Sequence, residues 1–167
     1  MRSHTVRVTI SLAVLVLALV LILIGLTRLN LAALKQPGHV ETRFADLAKR
    51  LVIRRASRQG IPARPSGASA SIDTGNTQYG LDCALCHGND GHGQDPPGRW
   101  MYPRAADLTS KQVQSYSDQE LFWIIQNGIR FTGMPGFGKV ESSDHIWDIV
   151  EYVRTLPVDL QSQKAAK

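Results

Sequence analysis

The chain has 167 residues, 43% of them apolar and 20% charged, which is room for one small domain with appendages and is too apolar for a disordered chain. Its net charge of +5 is unevenly spread: residues 1–72 carry eleven Lys/Arg against two Asp/Glu, and residues 73–167 carry eight against twelve. The basic excess belongs to the N-terminal part, so the pI near 9.5 does not mark a nucleic-acid binder.

Residues 1–5 precede a long apolar run. From Val8 to Leu26 almost every residue is apolar and none is charged. As a helix that run is roughly 28 Å long, matching a hydrocarbon core of ~30 Å. The pattern predicts a transmembrane anchor over residues 6–28. The competing reading is a secretory signal, whose apolar stretch is shorter and ends at a small-residue cleavage site. Thr27-Arg28-Leu29-Asn30-Leu31-Ala32-Ala33 offers no good cleavage triplet, so an uncleaved anchor is expected. Arginines and lysines flank the run on both sides, and charge alone does not orient it.

Residues 40–58 read as a helix. Val40, Phe44, Leu47, Ala48 and Leu51 recur at helical spacing, with Arg43, Lys49, Arg50, Arg54, Arg55 and Arg58 on the other faces. A basic amphipathic helix beside a membrane span suggests contact with anionic lipid headgroups; packing on its own domain or on a partner subunit is the other reading. Residues 59–72, containing GIPARPSGASAS, are rich in Gly, Pro, Ser and Ala and read as a flexible linker.

Residues 73–158 read as the folded domain and 159–167 as a tail. Helices are expected over Thr74–Leu85, over Asp118–Gly128 behind a Ser117/Glu120 capping box, and over Asp144–Leu156, where Pro157 is expected to stop the run. Gly- and Pro-rich loops lie between them, and no strand is predicted. So few large apolar side chains make a thin core, which a large apolar cofactor would complete.

Cys83-Ala84-Leu85-Cys86-His87 is the strongest signal. Two cysteines three apart share one side of a helical turn and can form thioethers to one porphyrin, with the histidine beneath the iron. A thioredoxin-like pair would want a preceding strand, a zinc site would need a further ligand such as His92, and a plain disulfide would leave His87 without a role. The pattern predicts one haem c, held through Cys83 and Cys86, with iron on His87. Gly133-Met134-Pro135-Gly136-Phe137 supplies the expected second axial ligand: Met134 offers a soft thioether, and the glycines let backbone approach the porphyrin face. Met101 is the rival sulfur, closer in sequence to His87. His92 and His145 are expected in solvated positions, and His4 and His39 lie outside the domain.

From about Gly75 to Leu156 the chain resembles class I c-type cytochromes, notably the bacterial mono-haem group, on CALCH, GMPGF and their order. The resemblance implies an all-α cytochrome c fold, three main helices around one haem, here preceded by a transmembrane helix and a basic juxtamembrane helix. It implies that the first and last helices cross, with Gly75 and Tyr79 meeting Tyr152 and Trp147 adding to the contact. It also implies a proline carbonyl, from Pro96 or Pro97, accepting the proton-bearing ring nitrogen of His87, with Pro97 preferred. Arg99, Trp100, Tyr102 and Arg104 offer donors for haem propionates, Tyr102 and Arg104 foremost; the other reading of these is a solvated loop. Because haem attachment of this type takes place outside the bacterial cytoplasm, the resemblance puts the haem domain on the outer face of the inner membrane, in the periplasm, and implies that residues 1–5 lie on the cytoplasmic side.

A six-coordinate His/Met iron leaves no open site for substrate, so the expected activity is one-electron transfer rather than catalysis. The expected partners are redox proteins of a respiratory chain, a quinol-oxidising complex on one side and a terminal oxidase or reductase on the other, and no nucleic acid. A tethered shuttle is favoured over a fixed subunit of an oxidase or reductase, and both over an enzyme or gas sensor in which Met134 is displaced.

Overall fold

The computed structural model describes residues 2–27, 32, 35–64 and 71–165. Part of the stretch read as a linker, residues 65–70, lies outside the described residues, as do Arg28 and the last two residues. The chain forms two compact units, residues 1–35 and 36–167. No strand occurs among the described residues, and the architecture is all-α.

The first unit is helix α1 (Arg2–Thr27). Its Val6–Thr27 portion, 22 residues, is long and apolar enough to cross a membrane. That length corresponds to about 33 Å. None of its described side chains is buried by the protein.

The second unit contains α2 (His39–Ala56), α3 (Ile72–Asp82), α4 (Ala84–His87), α5 (Lys111–Gln114), α6 (Asp118–Asn127) and α7 (Ser143–Ala165). Helix α3 starts where the Ser71 hydroxyl accepts the Thr74 N–H, satisfying one of the free donors of the first turn. Helix α6 starts with the expected capping box: Ser117 Oγ accepts the Glu120 N–H, and the Glu120 carboxylate accepts the Ser117 N–H. The apolar face of α6 supplies Leu121, Phe122 and Ile125 to the core, and α7 supplies Ile146, Trp147, Ile149, Val150, Val153 and Leu156.

Helices α3 and α7 cross at Gly75. A Cβ there would stand 2.1 Å from the Asp148 carbonyl oxygen and 3.0 Å from Tyr152 Cβ, so only glycine lets the two backbones touch. Beside the crossing, the Tyr79 and Tyr152 rings pack with centroids 5.0 Å apart, tilted at 53°. Trp147 faces elsewhere: its ring lies 4.6 Å from Phe122, tying α7 to α6 rather than adding to the crossing. Arg154 fastens the same pair by donating to the Asp118 carboxylate at 2.8 and 3.0 Å and to the Gln114 and Tyr116 carbonyls.

Helix α7 does not stop at Pro157. It continues to Ala165. A proline inside a helix leaves the carbonyl four residues earlier without its N–H partner. Here that carbonyl, on Val153, accepts the Gln114 side-chain amide at 3.1 Å, so the orphan acceptor is satisfied by a tertiary contact.

Helix α2 packs against the domain. Ile53 is 1% exposed within the common core and Ser57 is buried. Arg50 donates to the Gln112 carbonyl and the Ser115 hydroxyl at 2.8 Å each, and its guanidinium lies 4.8 Å from the Tyr116 ring centre. Asp46 accepts from Gln112 at 2.9 Å. The start of the expected linker is packed as well: Ile61 touches the core, and Arg64 pairs with Glu151 and Asp118.

Gly75→Ala is expected to lower the unfolding free energy by about 2 kcal/mol, since a methyl group must displace helix backbone. Denaturant titration followed by circular dichroism measures this; an unchanged midpoint would contradict the contact.

Candidate cofactor site

The CALCH run sits where α3 ends. Cys83 closes α3, and Cys86 and His87 lie on the single turn of α4. The turn is held by three contacts. Tyr79, fixed at the helix crossing, donates its hydroxyl to the Gly88 carbonyl at 2.6 Å. Gly88 has φ +74, a left-handed conformation that lets the chain leave α4 sharply. Gly98 lies so close beneath Cys86 that a Cβ on it would stand 1.9 Å from the Cys86 carbonyl oxygen.

The loop after α4 wraps back to His87. Gly93 donates to the His87 carbonyl at 2.7 Å, and Ala105 donates to the Gly98 carbonyl at 3.0 Å. This return places the Ala106 carbonyl 2.9 Å from His87 Nδ1. An acceptor there keeps the proton on Nδ1 and leaves the Nε2 lone pair free for a metal. Burial lowers the His87 pKa, outweighing the Ala106 hydrogen bond that raises it, so the ring is neutral near pH 7.

The acceptor expected from Pro97 is therefore supplied by Ala106 instead. The Pro97 carbonyl is taken by the Trp100 N–H at 2.9 Å, closing the 3₁₀ turn Gly98–Trp100. The Tyr102 hydroxyl is also committed differently from the expectation: it donates to the Glu41 carboxylate of α2. Arg104 is exposed and forms no ion pair among the described residues, and the Arg99 guanidinium lies over the Trp100 ring.

Met134 is half-buried against the core edge. Its N–H donates to Thr132 Oγ1 and its carbonyl accepts the Ile129 N–H, both at 3.2 Å. Glycines press this loop onto the end of α6: a Cβ on Gly128 would meet the Met134 carbonyl oxygen at 2.7 Å, and one on Gly136 would meet the Asn127 carbonyl at the same distance. Met101, the rival sulfur, lies close by, since a Cβ on Gly133 would stand 2.6 Å from its Sδ. His92 is half-buried and faces Asp107 at 3.3 Å, and His145 faces Glu141 at 2.8 Å; both were expected to be solvated.

Burial, with Asp82 and Glu141 nearby, pushes the Cys83 thiol up to about 12, so it stays protonated at neutral pH. No group of three His, Cys, Asp or Glu side chains converges into a metal-binding set among the described residues. Two thiols on one turn, a neutral imidazole with its distal nitrogen free, and a glycine-tightened methionine loop fit a covalently held haem.

An all-helical domain built on a Cys-x-x-Cys-His turn is a c-type cytochrome domain, and such domains transfer electrons. The chain belongs to the family described as cytochrome C oxidase, cbb3-type, subunit III, whose model matches residues 70–153. Membership implies a haem c cofactor and its iron. A solved structure from the Kuenenia stuttgartiensis reducing HAO-like protein complex is similar at 28% identity and a TM-score of 0.49, covering 58% of this chain and 47% of that one. The chain thus spans about half the length of that relative. No curated protein matches the chain.

Acid–base coupling at the edge of the site is testable. Asp82 faces Glu141, and its pKa is raised by burial first and by Glu141 second. A carboxyl whose folded pKa lies above its unfolded value favours the fold while protonated and loses that advantage as pH rises through the folded pKa. Asp82→Asn should therefore gain stability relative to the parent chain as pH rises from about 4 to 7. Urea unfolding across that range checks the sign; a gap that narrows with pH contradicts it.

Proposed function

We propose that the chain is a membrane-anchored, mono-haem c-type cytochrome carrying one electron at a time on the outer face of a bacterial inner membrane. The observation that carries the reading is the His87 ring, one residue past the cysteine pair, with Nδ1 held by the Ala106 carbonyl and Nε2 left free. In this reading Cys83 and Cys86 anchor the haem, His87 and Met134 are the axial ligands, and α1 is the anchor. A haem bound this way supplies reversible one-electron chemistry at iron.

The chain's own residues set how well that works. The Ala106 carbonyl fixes the ring tautomer of His87 and raises its basicity as a ligand. The Met134 backbone is tied through Thr132, Ile129 and the glycines at 128 and 136, and in this reading its sulfur would close the iron to small molecules. Arg104, exposed and outside any ion pair among the described residues, is the remaining candidate for a propionate. Asp and Glu outnumber Lys and Arg by four over residues 73–167, which favours partners with a basic docking patch. The partners in this reading are a quinol-oxidising complex as donor and a terminal oxidase or reductase as acceptor.

A second reading is a fixed subunit of a larger oxidase or reductase. The family's own description names an oxidase subunit, which supports it. Purification from native membranes in mild detergent separates the two: a shuttle emerges alone, a subunit in constant stoichiometry with others.

The cofactor assignment is checked by the pyridine spectrum of full-length protein made in a host able to attach haem. One covalent haem c per chain is expected, and a colourless or zinc-containing product overturns the reading. Met134→Ala should abolish the weak far-red band of a methionine–iron(III) bond and let the reduced protein bind carbon monoxide. Met101→Ala should change neither; the reverse result would move the ligand to Met101.

A further inference from the structure

Helix α2 has two working faces. One is docked: Asp46, Lys49, Arg50, Ile53, Ala56 and Ser57 fall within one side of the helix and are partly or fully buried against the domain. At 100° per residue, Val40, Phe44, Leu47 and Leu51 cluster about 150° away from that side. These four are 85, 75, 59 and 62% exposed. An apolar stripe this open, on a helix whose other side is already satisfied, lacks a partner within the described residues.

The stripe is bordered by cations. Arg43 and Arg54 lie along one edge, Arg55 along the other and Arg58 at its end. All four are exposed, and none forms an ion pair among the described residues. Only one acidic residue, Glu41, lies near the stripe's far edge, and its carboxylate is engaged by Tyr102. Arginines flanking an apolar stripe match a surface that is apolar beneath and anionic above, which is the headgroup layer of a bilayer with acidic lipids. Connectivity favours the same surface: only residues 28–38 separate α1 from α2, so α2 starts within roughly 40 Å of the end of the span.

We propose that α2 lies in the headgroup region of the outer leaflet, apolar stripe inward, and holds the haem domain against the membrane in a set orientation. This rests on the reading of α1 as a membrane anchor and adds to it. Because Ile53, Arg50 and Asp46 lock α2 to the domain, seating α2 on lipid seats the domain too. The domain then reaches partners within the same membrane plane, and it does not swing on a free tether. The occupant is lipid; a protein partner on the same stripe is the alternative outcome of the test.

Full-length holoprotein is reconstituted into lipid nanodiscs of phosphatidylcholine, with or without phosphatidylglycerol. Cys83 and Cys86 are consumed by haem, so a nitroxide can be placed on a single new thiol, either L47C on the stripe or T42C on the opposite side. In anionic discs the L47C label should favour oxygen over a water-soluble nickel chelate by roughly tenfold relative to T42C. Replacing Arg54, Arg55 and Arg58 by Gln together should bring that ratio back toward one, with the haem spectrum unchanged. Equal nickel access at the two positions in anionic discs overturns the proposal. So does an L47C label shielded only when another protein co-purifies. Failure of the anchor reading shows separately, as a chain that leaves the discs in an alkaline carbonate wash.

Discussion

The backbone contact at Gly75 is the constraint on which the rest of the domain depends. Helices α3 and α7 approach until a side chain of even one carbon has no room, and this closeness aligns Tyr79 with Tyr152. Tyr79 then reaches the Gly88 carbonyl at the far end of the CALCH turn. The position of the cysteine pair and of His87 is thus set by a helix crossing several residues upstream. Burial raises the Tyr79 pKa, so the phenol stays a hydrogen-bond donor at any physiological pH.

Around that crossing the domain relies on polar atoms as much as on its modest apolar core. Val153, whose carbonyl is orphaned by Pro157, is satisfied by Gln114. Arg154 spans from α7 to the start of α6 through four oxygens on three residues, and Arg50 brings α2 onto the 112–116 segment. A thin core tolerates few unpaired buried groups, and Asp82 Oδ2, Tyr116 Oη and Trp147 Nε1 have no hydrogen-bond partner among the described residues. Asp82, directly before Cys83, is the one of the three that borders the cofactor site.

Much of the fold was legible along the chain because it follows local rules. The Ser117/Glu120 box, the apolar stripes of α6 and α7 and the two-cysteine turn are short-range patterns with a fixed physical meaning. The all-helical class and the cytochrome family followed from them. The partner of His87 was not legible, because a backbone carbonyl leaves no mark in the sequence: Ala106 is an unremarkable loop residue, and the proline carbonyl that the family resemblance implies is not the one that His87 meets. Pro157 misled for a similar reason. The local rule that proline ends helices holds only while the freed carbonyl has no other donor, and Gln114, 39 residues away, provides one.

What the sequence determined by itself was the chemistry on offer: an apolar span, a covalent haem motif with its histidine, a soft sulfur in a glycine-rich loop, and basic charge confined to the first 72 residues. Those depend on residue type and spacing within a few turns. Only the tertiary structure decided which carbonyl orients His87, where Tyr102 spends its hydroxyl, and that α2 belongs to the domain with Ile53 as its anchor. Each of these joins atoms from distant parts of the chain, and a contact of that kind exists only once Gly75 has brought α3 and α7 together and the loops have closed around them.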